Sequence, residues 1–257
     1  ERKATATVDG YPSDYGSKMS YFGRLNYDFK ETYMFSAIIR ADGSSKFAKG
    51  NQWGYFPSFS AGWVISNEAF MKNTTSWLGF LKIRAEFGDY GLYTFGSDKN
   101  GGTTGAYPNR LANPDLTWET SEQTNIGIDA RFLDNRLSFT MDWYNKQTKD
   151  LLVEVGTNAA SGFSSQYQNA GTVKNTGLEL SMGWRDQIGK EFKYGVNVNM
   201  AYNKNEVTEV NNANHFIEGG NDLLAQSTGR FVRMEEGHPI GYFYGYKTDG
   251  VIQNQND

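Results

Sequence analysis

Between residues 177 and 202 the chain alternates apolar and polar side chains with a period of two. Leu178, Leu180, Met182 and Trp184 share one side, and Gly177, Glu179, Ser181 and Gly183 the other. After a turn at 185–191, Phe192, Tyr194, Val196, Val198, Met200 and Tyr202 alternate with Lys193, Gly195, Asn197, Asn199 and Ala201. Successive side chains of a strand point to opposite faces, so the pattern predicts an antiparallel hairpin with one apolar and one wet face.

The same rhythm predicts six earlier strands, over 20–29, 33–40, 54–66, 80–90, 117–132 and 137–144. Pro57 lacks an N–H and is therefore expected near a strand end or at a bulge. The connections 30–32, 133–136 and 185–191 are short, whereas 41–53, 91–116, 145–176 and everything after 203 are long. Residues 67–79 blur this alternation, because Glu68, Phe70, Met71 and Trp77 suit a short helix or packed turn. Strands near ten residues, short turns at one end and long loops at the other are the expected layout of an outer-membrane β-barrel. A soluble sandwich has strands of ~5–6 residues and less regular loops.

Aromatic residues sharpen that expectation. Tyr27, Tyr33, Trp63, Trp143, Trp184, Phe192 and Tyr202 fall at or near the ends of the expected strands, where amphipathic rings would sit at a membrane–water boundary. Any one of them could equally pack on a cross-strand neighbour. On the polar side, Arg24, Asn26, Lys82, Arg84, Glu86, Gln123, Asn125, Asp129, Glu179, Asn197 and Asn199 would line a watery interior, though a solvated sheet face would satisfy them as well.

Composition removes several alternatives. Hydrophobic residues make up 38% of the 257 residues, and the mean hydropathy of −0.63 leaves no stretch suited to a membrane helix. The formal net charge is −4 without a basic stripe, so nucleic-acid binding has no support. Cysteine is absent, which excludes disulfides, thiolate metal sites and Cys nucleophiles. His215 and His238 lack metalloenzyme spacing, and the Asp249–Gly250 stretch lacks the spacing of an EF-hand. Asp129 and Asp142 could face one another across a hairpin, but no pocket supports glycoside hydrolysis. The expectation is therefore no catalytic residue, no metal and no cofactor. With no initiator Met and a polar-loop ending, both termini read as cuts.

Ordered motifs are more specific than periodicity. They include Ser20-Tyr21-Phe22-Gly23-Arg24-Leu25-Asn26-Tyr27, Arg40-Ala41-Asp42-Gly43-Ser44-Ser45-Lys46-Phe47 and Trp53-Gly54-Tyr55-Phe56-Pro57-Ser58-Phe59-Ser60-Ala61-Gly62-Trp63. Later come Asn113-Pro114-Asp115-Leu116-Thr117-Trp118-Glu119, Asn125-Ile126-Gly127-Ile128-Asp129, Thr148-Lys149-Asp150-Leu151-Leu152 and Asn175-Thr176-Gly177-Leu178-Glu179. The last is Gly237-His238-Pro239-Ile240-Gly241-Tyr242-Phe243-Tyr244-Gly245-Tyr246.

In this order they resemble the barrel of the SusC/RagA family of TonB-dependent outer-membrane transporters of Bacteroidetes. The resemblance covers about 15–253. It implies an all-β fold: about eight strands of a plugged transmembrane barrel of ~22. Residues 1–257 would then be part of one barrel domain in the C-terminal half, without the plug, the TonB-contacting segment and the closing strands.

The resemblance also implies a function: TonB-powered import of large nutrients, glycans or oligosaccharides first and peptides second, across the outer membrane of a Gram-negative cell. The implied partners are a SusD-like surface lipoprotein acting as a lid, TonB itself, and membrane lipid. Loop aromatics Tyr93, Phe95, Tyr107, Phe163 and Tyr167 could stack on a sugar ring or pin their own loops; the family carries no transferable contact motif. Two rivals stay open, a siderophore- or cobalamin-type importer and a soluble carbohydrate-binding β-sandwich.

Overall fold

A computed structural model describes residues 17–92, 110–111, 113–156, 165–212, 214–219 and 231–247. Its centre is an antiparallel sheet of eight strands. In chain order these are β1 (Lys18–Phe29), β2 (Tyr33–Ser44), β3 (Trp53–Val64), β4 (Leu78–Leu92), β6 (Glu119–Phe132), β7 (Leu137–Lys149), β10 (Gly171–Ile188) and β11 (Phe192–Val210). Each pairs with its predecessor in that order, leaving β1 and β11 as the open edges among the described residues.

The expected strands all form, and most are longer than the alternation predicts. β7 continues to Lys149 and β11 to Val210, so Trp143 and Tyr202 lie within their strands rather than at the ends. The extra length extends past the apolar band. From Phe192 to Tyr202 a strand advances about 33 Å at ~3.3 Å per residue. A tilt of ~40° makes that about 25 Å along the membrane normal, the height of a barrel's apolar belt. β11 therefore stands well above the membrane at its far end.

Pro57 departs from the expected end or bulge. It sits inside β3, opposite Ile39, in continuous register. The Val64 N–H donates to the Thr32 carbonyl and the Ser44 N–H to the Gln52 carbonyl, so even-numbered β3 positions bond to β2. The missing donor of Pro57 therefore points away from β2, and pairing with β4 begins only at Ser58. No ladder hydrogen bond is lost, which is why proline is tolerated there.

Residues 30–32, 65–77, 133–136 and 189–191 gather at one end of the sheet. The tight turn at 133–136 places Leu133 (φ 55°), Asp134 (φ 56°) and Asn135 (φ 66°) in the left-handed region, which Asp and Asn adopt more readily than most residues. The ambiguous segment 67–79 falls at this short-turn end, where the link 65–77 forms two 3-10 turns, Ile65–Asn67 and Ala69–Thr74, and the segment's last two residues open β4. At the other end the long links carry small sheets of their own, which the alternation did not reveal. β8 (Leu152–Gly156) and β9 (Ser165–Asn169) pair antiparallel, and β5 (Arg110–Leu111) runs parallel to β9. β12 (Phe216–Gly219), β13 (Val232–Glu235) and β14 (Tyr242–Phe243) form another antiparallel set.

Most of the buried apolar side chains described lie at this long-loop end. Phe47, Phe56, Leu116 and Trp118 make one cluster, with Leu152 and Tyr167 packed on it. Val173, Val207, Val210 and Met234 make another, flanked by Leu151 and Ile217. The crossing strands instead turn apolar side chains outward. Val198 is 54% exposed and Leu25 62% exposed, as expected of groups whose solvent is lipid.

Candidate functional site

Strand register fixes two faces across the whole sheet. Leu25 opposes Ala37, Ala37 opposes Phe59, and Phe59 opposes Phe87. Ala85 opposes Ile126, Ile126 opposes Trp143, Trp143 opposes Leu178, and Leu178 opposes Tyr202. Cross-strand partners share a face, so this apolar series is one continuous outer surface. Rings cluster at its short-turn edge: Tyr33 stacks on Trp63 at 6.3 Å and Trp77 on Phe132 at 6.3 Å. At the opposite edge Tyr21 stacks on Trp53 at 6.0 Å. Two aromatic margins around an apolar band are the signature of a membrane-spanning barrel wall.

The opposite face is the candidate site. All eleven polar positions expected to line the interior fall on it, from Arg24 and Asn26 on β1 to Asn197 and Asn199 on β11. Amide and hydroxyl groups link up along it. The Arg24 Nε–H donates to Asn26 Oδ1 at 2.9 Å, Ser36 Oγ–H to the same oxygen at 2.9 Å, and Ser181 Oγ–H to Asn199 Oδ1 at 2.7 Å. Open concavities between β1 and β6 are floored by Ser36, Ser58 and Ser60 and edged by Arg24, Glu86 and Gln123.

The strongest single feature of this face joins three strands. Arg84 on β4 donates through Nε to Asp129 Oδ2 on β6 at 3.0 Å, and through the Nη2 nitrogen to Asp142 Oδ2 on β7 at 2.8 Å. Thr140 adds a hydroxyl donor to Asp129 Oδ1 at 3.1 Å. Gly127 makes the geometry possible, since a Cβ there would stand 2.5 Å from Arg84 Cζ and 2.6 Å from Asp142 Oδ1. Asp129 and Asp142 are thus near each other, as the hairpin suggested, but a guanidinium sits between them. That arrangement is a cross-strand tie and not an acid–base pair around a sugar. Sequence alone placed these residues on the polar face; only the register reveals that they meet.

Beyond the membrane band, β12–β14 dock on the top of β11. Arg233 is held between the rings of Phe216 and Tyr244, 4.1 Å and 3.4 Å from their centroids, and donates to Glu218 Oε1 at 2.9 Å. The Glu218 hydrogen bond holds the Arg233 guanidinium above its ordinary pKa, so it stays charged. The Tyr242 hydroxyl donates to Glu235, and lowers that carboxyl below the usual range. Glu236 accepts the Val210 N–H at 2.9 Å, and that donor, with His215, lowers its carboxyl too. The Gly237–His238 stretch of the last motif caps the β11 edge: the Val207 N–H donates to the His238 carbonyl and the Gly237 N–H to the Val207 carbonyl.

Of the loop aromatics singled out, Tyr93, Phe95, Tyr107 and Phe163 lie outside the described residues. Tyr167 is on β9, half-buried against the Phe47–Trp118 cluster, and its carbonyl accepts from Asn113 Nδ2 at 2.9 Å. Among the described residues no three His, Asp or Glu side chains converge to hold a metal ion.

This two-faced wall can be set beside known proteins. The sequence matches the family described as "TonB dependent receptor-like, beta-barrel" over residues 2–244. The chain belongs to that family. It is 37% identical over 245 residues to TonB-dependent receptor P39 of Formosa agariphila, covering 91% of this chain and 22% of that protein. It is 32% identical over 250 residues to TonB-dependent receptor SusC of Bacteroides thetaiotaomicron, covering 89% and 25% respectively. Among solved structures, the RagAB peptide transporter superposes with a TM-score of 0.75 at 29% identity, over 89% of this chain and 25% of that one.

The SusC/RagA resemblance is therefore confirmed, and with it an all-β outer-membrane barrel wall of the Gram-negative type. The soluble sandwich is set aside. The chain spans about a quarter of the length of these relatives. In the barrel family the short turns are periplasmic and the long loops extracellular.

Proposed function

We propose that this chain is one arc, in the C-terminal half, of the barrel of a TonB-dependent importer that brings large nutrients across the outer membrane. On this reading residues 1–257 belong to a single barrel domain of ~22 strands. The plug and the remaining strands belong to sequence outside this stretch. The protein is a transporter and not an enzyme. Energy comes from TonB, and a SusD-like surface lipoprotein closes the extracellular mouth.

The observation that carries the reading is the continuous polar inner face, backed by a lipid-facing apolar face, in a chain whose relatives are TonB-dependent receptors. The substrate class proposed first is glycans or oligosaccharides. Ser36, Ser58, Ser60, Gln123, Asn125, Asn197 and Asn199 offer groups that both donate and accept, which suits sugar hydroxyls. Tyr93, Phe95, Tyr107 and Phe163 are proposed to stack on the sugar at the mouth, with Tyr167 supporting their loops. A peptide is the second reading, favoured by the likeness to the RagAB peptide transporter.

Deleting the intact gene and measuring growth on single glycans, peptides and iron sources tests both. Loss of growth on one glycan supports the first reading, and loss on peptides alone supports the second. Loss on iron sources alone would return the siderophore-type rival.

A further inference from the structure

Of the four periplasmic links among the described residues, 65–77 is the longest, and both its ends are tied to the lipid-facing side of the wall. At the first end Glu68 Oε1 accepts the Tyr33 hydroxyl at 2.5 Å and the Trp63 Nε1–H at 3.0 Å. Both rings belong to the outer face, where they oppose one another across β2 and β3. The two donors hold the Glu68 carboxyl below its usual range, so it stays an ionised acceptor at neutral pH. At the second end Trp77 stacks on Phe132, an outer-face ring, and its carbonyl accepts the Leu133 N–H at 3.0 Å. Asn67 Nδ2 also donates to the Glu31 carbonyl at 2.9 Å, fastening the link to the neighbouring turn.

The segment is thus anchored to the outer side of the wall at both ends. Between and at those anchors it shows large apolar groups: Phe70 is 65% exposed and Trp77 51% exposed. Lys72 is exposed in the same 3-10 turn. An exposed phenylalanine and an exposed tryptophan in one short link that also carries a lysine suit the boundary where headgroups give way to acyl chains.

We propose that residues 65–77 form a membrane-interface foot, seating Phe70 and Trp77 among the glycerol and upper acyl groups of phospholipids in the periplasmic leaflet. The occupant follows from continuity. The foot extends the Tyr33–Trp63 and Trp77–Phe132 pairs, which already belong to the lipid-facing band, and its exposed Lys72 would meet the phosphates on the periplasmic side. The foot fixes the depth of β3 and β4, and by lying outward it leaves the periplasmic mouth beside these strands unobstructed. This goes beyond the import reading and depends only on the barrel's membrane placement.

The test uses the full-length protein reconstituted in phosphatidylethanolamine–phosphatidylglycerol liposomes, with a nitroxide attached through Phe70→Cys. Collision with oxygen, which concentrates in lipid, is compared with collision with a water-soluble nickel chelate. Oxygen should dominate at position 70, whereas the chelate should dominate for a label at Lys190→Cys in the β10–β11 turn. A label at 70 that behaves like the one at 190, or that neither reagent reaches, overturns the proposal. As a second measurement without a label, the emission lost in Trp77→Phe should be quenched by phospholipids brominated high on the acyl chain. Emission indifferent to the brominated lipid would also overturn it.

Discussion

The crossing part of the sheet and its extracellular ends follow opposite packing rules within the same strands. β11 shows both. Around Val198 its apolar side chains point outward and are more than half exposed, while Val207 and Val210, higher on the same strand, are buried beneath Met234 and Ile217. The difference lies in the solvent. Within the membrane, lipid already takes up apolar surface, so no protein core is needed, and hydrogen bonding of a closed ladder dominates. Above it water returns, and apolar side chains must be covered by protein, as in any soluble domain. The described parts of the long links therefore form small folded caps with cores of their own.

The sharpest way to break this comparison is to remove the centre of a cap. Trp118 is 8% exposed and touches Phe47 and Phe56, with ring centroids 4.9 Å and 5.8 Å away. Trp118→Ala should remove about 3–5 kcal/mol from the cap, in the range of large aromatic truncations in cores. Limited proteolysis of the full-length protein should then cut within residues 113–170 while the crossing strands stay protected. Simultaneous loss of the strands would show that cap and wall unfold as one.

Next in size is a charge placed on the lipid face. Val198→Arg should cost ~2–4 kcal/mol near the membrane midplane, whereas Asn199→Arg, one residue on but facing the lumen, should cost little. Denaturant unfolding in bilayers measures both. Equal costs would contradict the assignment of the two faces.

A smaller effect is expected at the inner-face tie. Arg84→Met leaves Asp129 and Asp142 close together without their shared cation. The three side chains are 20–30% exposed, so water screens part of the loss, and about 1–3 kcal/mol is expected. Gly127→Ala should move stability in the same direction, because its Cβ would displace the guanidinium. A double variant no worse than either single change would show that both act on the same tie.

The smallest effect is a pH dependence read locally in the β12–β14 cap. The Val210 N–H and His215 stabilise the charged form of Glu236, so its carboxyl titrates lower in the folded state than in the unfolded. That contribution is whole above the unfolded value of about 4.3 and is lost as pH falls through the folded one. Protection of the Val207 and Val210 amides, taken relative to their intrinsic exchange rates at each pH, should therefore fall on acidification below about pH 4.3, and Glu236→Gln should flatten the response. A response unchanged in that variant would assign the transition to another group.

The wall was legible in the chain because its determinants are local. Alternation at period two marked each crossing strand, and each inner-face residue from Arg24 to Asn199 was assigned its side by parity, since a strand offers only two. Strand ends at the extracellular side were misplaced because alternation there gives way to residues serving the caps, such as Val207 and Val210. The place of Pro57 also needed the neighbours, because whether a missing N–H matters depends on which strand would have received it.

By itself, then, the sequence determined that this protein is a two-faced antiparallel sheet, which end carries the short turns, and which side chains share each face. Only the tertiary structure decided that Arg84 reaches Asp129 and Asp142, that residues 65–77 turn outward onto Tyr33 and Trp63, and that the last motif locks onto β11. The physical reason is that facing is set by each strand's own periodicity, whereas contact depends on register and loop path, which join residues dozens of positions apart.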